Sequence, residues 1–220
     1  DSYKIRNKPG NFIITGCPKY DIKPLKINIF KNNGNKTIIY CPTWANNGTR
    51  IDTISLLLVR LKHYYNILIL PHPMLSTKKL HRFYLRYLIS QQNNNFRIIC
   101  RCDKLTQFYK KNNYSLYFND IIDNCLHFIN SSDFVITDLS GIIAETLVCN
   151  KPIYITREKI KLSKKLIDQR IKNNKTELFL ESYHKNIKKI TKDYLFSYIG
   201  NSSDKIVNIG MEIFKKKIKN

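Results

Sequence analysis

The stretch Asp133-Phe134-Val135-Ile136-Thr137-Asp138-Leu139-Ser140-Gly141-Ile142-Ile143-Ala144-Glu145 decides the fold. Phe134, Val135 and Ile136 are apolar and β-prone, which predicts a central strand. A tight polar turn follows. Ser140 is suited to cap a helix, and Gly141 admits the close approach of another backbone or a ligand. Over residues 142–149 all but Glu145 and Thr146 are apolar, the pattern of a buried helix. Lys151-Pro152 ends that helix, and Ile153-Tyr154-Ile155 starts another strand. A helix beginning at the carboxyl end of a parallel strand offers open N–H groups and a positive dipole end, which favour phosphate. An ordinary βαβ unit has the same local pattern, so the stretch alone leaves both readings open.

Working outward, the same alternation recurs. Strands are predicted at 11–15, 37–41, 67–70, 96–100 and 115–118. Helices are predicted at 51–65, with Ile54, Leu57, Leu58 and Leu61 on one face, at 76–90, with Leu80, Tyr84 and Leu88 inward, and at 121–129. After Ile155 the pattern becomes helical and more charged, at 159–172, 183–191 and 204–217. Strand and helix in alternation predict an α/β fold: a Rossmann-like parallel sheet with helices on both faces. The expected organisation is a lead-in segment and connector from a preceding half (1–36), the Rossmann-like domain (37–200) and a C-terminal helix (201–220).

With 220 residues and 43% hydrophobic content a real core can form. Lys and Arg number 38 against 16 Asp and Glu, a formal net charge of +22. That excess attracts polyanions. Asn, Lys, Ile and Tyr are all abundant, as AT-rich coding produces, so charge is discounted as a sign of function. No RNA- or DNA-reading motif is present, and nucleic acid is not favoured. A basic module binding nucleic acid or membrane remains an alternative. The basic helix at 78–86 and Lys215-Lys216-Lys217 suit an anionic membrane surface. The six cysteines show no CxxC pairing, so reduced, buried thiols in a cytoplasmic protein are expected, and the basic segments would suit a peripheral place at the inner face of the membrane. No metal-ligand spacing appears among the histidines, and neither GxGxxG nor a P-loop pattern occurs.

Three polar turns fall at strand carboxyl ends: Cys41-Pro42-Thr43-Trp44, Pro71-His72-Pro73 and Thr137-Asp138-Leu139-Ser140-Gly141. In parallel sheets that end holds the ligand. Prolines on both sides fix His72, which is thereby aimed as a hydrogen-bond donor or acid/base group for a phosphate. Thr137 and Ser140 carry hydroxyls suited to phosphate oxygens. Asp138, repelled by phosphate, is expected to hold the turn. Glu145 lies one helical turn beyond Gly141, where a carboxylate suits ribose hydroxyls. Thr43 and Trp44 are candidates to line the pocket.

Taken together and in order, the motifs resemble the CDP-glycerol glycerophosphotransferases, the teichoic-acid polymerases and primases. Thr15-Gly16-Cys17-Pro18-Lys19-Tyr20-Asp21 resembles their "TGxPRxD". Ile39-Tyr40-Cys41-Pro42-Thr43-Trp44 resembles "YxPTWR". Leu68-Ile69-Leu70-Pro71-His72-Pro73 resembles "LLxKxHP". Ser132 through Gly141 resemble "SDxLITDYSS", and Lys151-Pro152-Ile153 the "KPI" that follows. The resemblance implies the C-terminal, nucleotide-binding half of a GT-B fold, with an N-terminal half in the same or another chain. It implies a CDP-linked donor as substrate, no separate cofactor, and a polyol-phosphate, polysaccharide or lipid-linked acceptor. On it, His72, Thr137 and Ser140 contact the donor diphosphate, with Thr43, Gly141 and Glu145 beside them. Leu139 and Gly141 replace a Tyr and a Ser of the family pattern, and Ala45 an Arg. Ser140-Gly141 is also similar to the nucleotide-sugar epimerases and other GT-B glycosyltransferases, which use UDP-sugars.

Overall fold

A computed structural model describes residues 17–30, 33–44, 50–72, 74–75, 79–99, 125–138, 140–156, 161–173 and 202–218. Five strands form one parallel sheet: β1 (Thr37–Cys41), β2 (Asn66–Ile69), β3 (Phe96–Ile98), β4 (Phe134–Thr137) and β5 (Ile153–Ile155). Their spatial order is β3-β2-β1-β4-β5. The helices are α1 (Ile51–Leu61), α2 (Lys79–Ser90), α3 (Cys125–Asn130), α4 (Ile142–Val148), α5 (Lys164–Asn173) and α6 (Ser202–Ile218).

The strands are almost continuously apolar because both faces of the sheet are covered. Ile38, Tyr40, Ile67, Ile69, Phe134, Ile136 and Tyr154 project to one side. There they form a single cluster with Ile54, Leu58 and Leu61 of α1, Leu85 and Leu88 of α2, and Ile167 of α5. The alternate positions Ile39, Leu68, Val135 and Ile153 point the other way and are equally buried. α3 precedes β4 and α4 connects β4 to β5, and neither contributes to that first cluster, which leaves them the second face. Leu126, Phe128, Ile129 and Ile143 bury against it. The architecture is the Rossmann-like α/β fold expected from the alternation.

Polar side chains sew the amino ends of the strands together. Asn33 Nδ2 donates to both Asn66 Oδ1 and Asn95 Oδ1 at 2.9 Å. Asp133 accepts from the Thr37 N–H at 2.8 Å and pairs with Lys36 at 3.3 Å. The connector ahead of β1 docks beside α3: the Leu25 N–H donates to His127 Nδ1 at 2.9 Å and the Ile27 N–H to Ser131 Oγ at 2.6 Å. His127 is thus a buried structural histidine.

Several element ends differ from expectation. The helix predicted to run to residue 65 stops at Leu61, and the turn that follows aims Tyr65 Oη at Asp168 Oδ1, 2.5 Å away on α5. The helix predicted from residue 159 starts at Lys164, where Ser163 Oγ accepts the Leu166 N–H at 3.3 Å. The strand at 96–100 pairs over Phe96–Ile98. The strands predicted at 11–15 and 115–118 and the helix at 183–191 lie outside the described residues. Cys41 and Cys125 are buried and Cys17 and Cys149 half-buried, all four as free thiols.

The chain divides into two compact units. Pro24–Lys185 carries the sheet. Asp1–Lys23 and Asn186–Asn220 make the second. Within that second unit Asp21, which ends the 3-10 turn Pro18–Tyr20, accepts the Ser202 N–H at 3.1 Å and the Ser203 N–H at 2.8 Å. These are open donors of the first turn of α6, so Asp21 caps that helix from elsewhere in the chain.

Candidate functional site

β1, β2 and β3 advance in one direction across the sheet, and β4 and β5 in the other. The order reverses between β1 and β4, and α1 and α4 leave toward opposite faces. In such sheets the usual ligand position is outside the carboxyl ends of the two strands at which the order reverses, here β1 and β4. The pairing Cys41↔Thr137 sets the two strand ends level. On the far side of β1 the Leu70 N–H donates to the Tyr40 carbonyl at 2.9 Å, and the His72 N–H to the Pro42 carbonyl at 3.3 Å. The Pro42-Thr43-Trp44 loop accordingly lies between the His72 loop and the Ser140-Gly141 turn. Strands lie ~4.8 Å apart, so the strand ends that launch His72 and Ser140 are separated by about 10 Å.

Asp138 organises this rim. It is fully buried. Its carboxylate accepts the Thr43 N–H at 2.9 Å, the Arg50 N–H at 3.3 Å and the Thr156 hydroxyl at 2.6 Å. The three donors come from the loop after β1, the residue before α1 and the end of β5. One buried carboxylate, satisfied by three donors, thus ties together the loop after β1, the start of α1 and the end of β5. The sequence pointed to Asp138 as the turn's anchor. Arg50 and Thr156 were not legible, because bonds between residues so far apart leave no local pattern.

The remaining candidates of the turn are placed unequally. Thr137 is fully buried and donates its hydroxyl proton to the Cys41 carbonyl at 3.1 Å. Its oxygen then accepts from Ser140 Oγ, also 3.1 Å away. Ser140 is half-exposed, and it does not cap α4 as expected: the cap position is Gly141, and no side chain bonds to that helix end. The Thr137 hydroxyl competes successfully for the Ser140 proton. Gly141 is exposed with φ −59°, and a Cβ built there meets nothing within 4 Å. Its backbone therefore does not require glycine, and the space beside it is open. Glu145 is 6% exposed and presents almost no surface to a ligand. Thr43 is half-buried at the loop between the two turns.

His72 is exposed. Its Nδ1 accepts the Met74 N–H at 3.2 Å. That bond leaves the proton of the neutral ring on Nε2 and turns the N–H outward. The Trp44 ring stands 6.2 Å from the imidazole, centre to centre. Partial burial holds the His72 pKa below the usual histidine value. A neutral imidazole with an outward Nε2–H is a hydrogen-bond donor to an anionic oxygen. Among the described residues no group of three or more His, Cys, Asp or Glu side chains is placed to hold a metal. No described helix is long and apolar enough to cross a membrane.

No family model matches the chain, and neither does any curated protein. Among solved structures it is similar in fold to the wall teichoic acid polymerase TagF. To a histidine-to-asparagine variant of that protein it is 13% identical, with a TM-score of 0.46, covering 87% of this chain and 47% of the other. To a histidine-to-alanine variant it is 14% identical, with a TM-score of 0.42, covering 87% and 46%. A further TagF structure gives 18% identity, a TM-score of 0.37 and the same 87% and 46%. The chain spans about half the length of these proteins.

Proposed function

We propose that this chain is the donor-binding half of a transferase that moves an alditol phosphate from a CDP-linked donor onto a polyol-phosphate, polysaccharide or lipid-linked acceptor. What carries the reading is one convergence. The three loops whose motifs resemble the glycerophosphotransferases rise from the adjacent strands β2, β1 and β4, at the point where strand order reverses.

In this reading the donor diphosphate lies over the open Gly141 backbone. The Nε2–H of His72 donates to it from one side and Ser140 from the other. Thr137 and Asp138 are positioning residues: Thr137 bonds Ser140 and Asp138 anchors the Thr43 loop. An acceptor hydroxyl attacks the β-phosphorus, a new P–O bond forms, the anhydride P–O bond breaks, and CMP leaves with the electron pair. The hydroxyl proton passes to a base or to CMP. Donors aimed at charge that grows on the phosphate oxygens lower the barrier, and fixed orientation supplies much of the remainder. The acceptor and any base belong to a partner half.

Calorimetric titration of the purified chain with CDP-glycerol, CDP-ribitol, CMP and UDP-sugars tests this. Cytidine diphosphate ligands are expected to bind best, and His72→Ala to weaken them. Preference for UDP-sugars would instead favour a GT-B glycosyltransferase or epimerase, the reading that the Ser140-Gly141 pair supports. Binding without nucleotide selectivity that collapses with salt would leave only a basic surface.

A further inference from the structure

A cavity of about 800 Å³ opens on the α1 side of the sheet, beside Arg50 and Thr156, two of the donors to Asp138. That volume lies within the range of small-molecule sites. Arg50, Arg60 and Lys161 line it, and among the described lining residues there is no carboxylate. Of the described carboxylates nearby, Asp138 accepts from three donors, and Asp52 accepts from the Thr53 hydroxyl at 3.2 Å. The floor is aliphatic, formed by Ile54, Leu57 and Leu162. At its wall Leu56 is 56% exposed. Leu56 and Leu57 stand three or four residues before Arg60, so apolar surface and cation share one face of α1. The outward side of a helix on a covered sheet is ordinarily polar, which makes this pairing unusual.

We propose that this cavity binds the phosphate ester of an amphiphile, with the phosphate among Arg50, Arg60 and Lys161 and an alkyl chain on the leucine floor. A base would need a stacking surface. Among the described lining residues the one aromatic, Tyr154, is 5% exposed and has the Arg170 guanidinium 5.6 Å from its ring centre. A hydrophilic polyanion would gain nothing from Leu56 and Leu57. The assignment does not rest on the nucleotide reading, with which it shares only Arg50 and Thr156.

The test uses the purified chain and three probes: inorganic phosphate, glycerol 3-phosphate and monomeric dihexanoyl phosphatidic acid. Burying a few methylenes should make the amphiphile bind roughly ten-fold or more tightly than glycerol 3-phosphate. The double variant Arg60→Glu, Lys161→Glu should abolish binding of all three. Leu56→Asp, at an exposed position, should reduce the amphiphile's affinity toward that of glycerol 3-phosphate. CDP-glycerol affinity should be unchanged in these variants, which separates failure here from failure of the nucleotide reading. Equal affinity for the three probes, or amphiphile binding that survives both variants, overturns the proposal. Vesicles containing phosphatidic acid should pull down the wild type and not the double variant. Capture of the monomer but not of vesicles would assign a free phosphate ester and overturn the lipid.

Discussion

The Thr156 hydroxyl at the end of β5 donates to the buried Asp138 carboxylate at 2.6 Å, while the same carboxylate holds the Thr43 N–H of the loop after β1 at 2.9 Å. The rim is therefore tied through one charge, and its removal has unequal consequences. Asp138→Asn keeps one acceptor oxygen and replaces the other by an NH2, which meets a donor head-on and leaves at least one of the three without its acceptor. Unfolding free energy is expected to fall by about 3 kcal/mol. Thr156→Val removes one charge-assisted bond, at a cost of about 2 kcal/mol. Because the two share one network, the double variant should lose less than the sum. Urea denaturation followed by circular dichroism reads all three.

His72 gives a pH signature. Burial lowers its pKa, and the Met74 N–H on Nδ1 opposes protonation at that nitrogen. Its folded value therefore lies below the unfolded one, about 6.5. The stability it contributes is complete above that unfolded value and lost as pH falls through the folded value. NMR titration of the imidazole should give a midpoint below 6.5, and Trp44→Ala, which opens the ring to water, should raise it. His72→Ala should flatten the loss of stability on the acid side.

The sheet was legible because burial on both faces writes unbroken apolar runs into the chain, as in Ile67, Leu68 and Ile69, all fully buried. Helix positions followed from periodicity, but their ends did not. The start of α5 depends on Ser163, and Tyr65 leaves the helical pattern to reach Asp168, a partner on α5. In the site, the polar turns were legible as turns. What they bond was not: Ser140 has the composition of a cap, yet its nearest acceptor is the hydroxyl three residues back. Local sequence ranks residue types for a role and says nothing of which distant group arrives first.

Asp21 is the acidic residue that closes the segment resembling "TGxPRxD", and it caps α6. The Ser203 hydroxyl at 2.6 Å and the two helix N–H groups lower its pKa from 3.8 to about 2. A depressed carboxylate contributes stability that is present above about 3.8 and lost as pH falls toward 2. Asp21→Asn should accelerate amide exchange at Ser202 and Ser203 at neutral pH and remove the acid dependence of that exchange. Unchanged protection would mean that the helix end is held by other groups.

Thr137 and Ser140 should separate stability from binding. Thr137 is fully buried, and its hydroxyl both donates to the Cys41 carbonyl and accepts from Ser140. Valine keeps its shape and leaves that carbonyl without this donor, so Thr137→Val should lower unfolding free energy by about 1–3 kcal/mol. It also frees the Ser140 proton, so affinity for a cytidine diphosphate ligand should hold or rise. Ser140 is half-exposed and must exchange its bond to Thr137 for one to the phosphate. Ser140→Ala should change stability by less than about 0.5 kcal/mol and weaken the ligand roughly three- to ten-fold. Denaturation and calorimetry on the two variants check the crossing pattern. If Thr137→Val instead loses affinity at unchanged stability, the phosphate contact belongs to Thr137, and the turn must open to expose it.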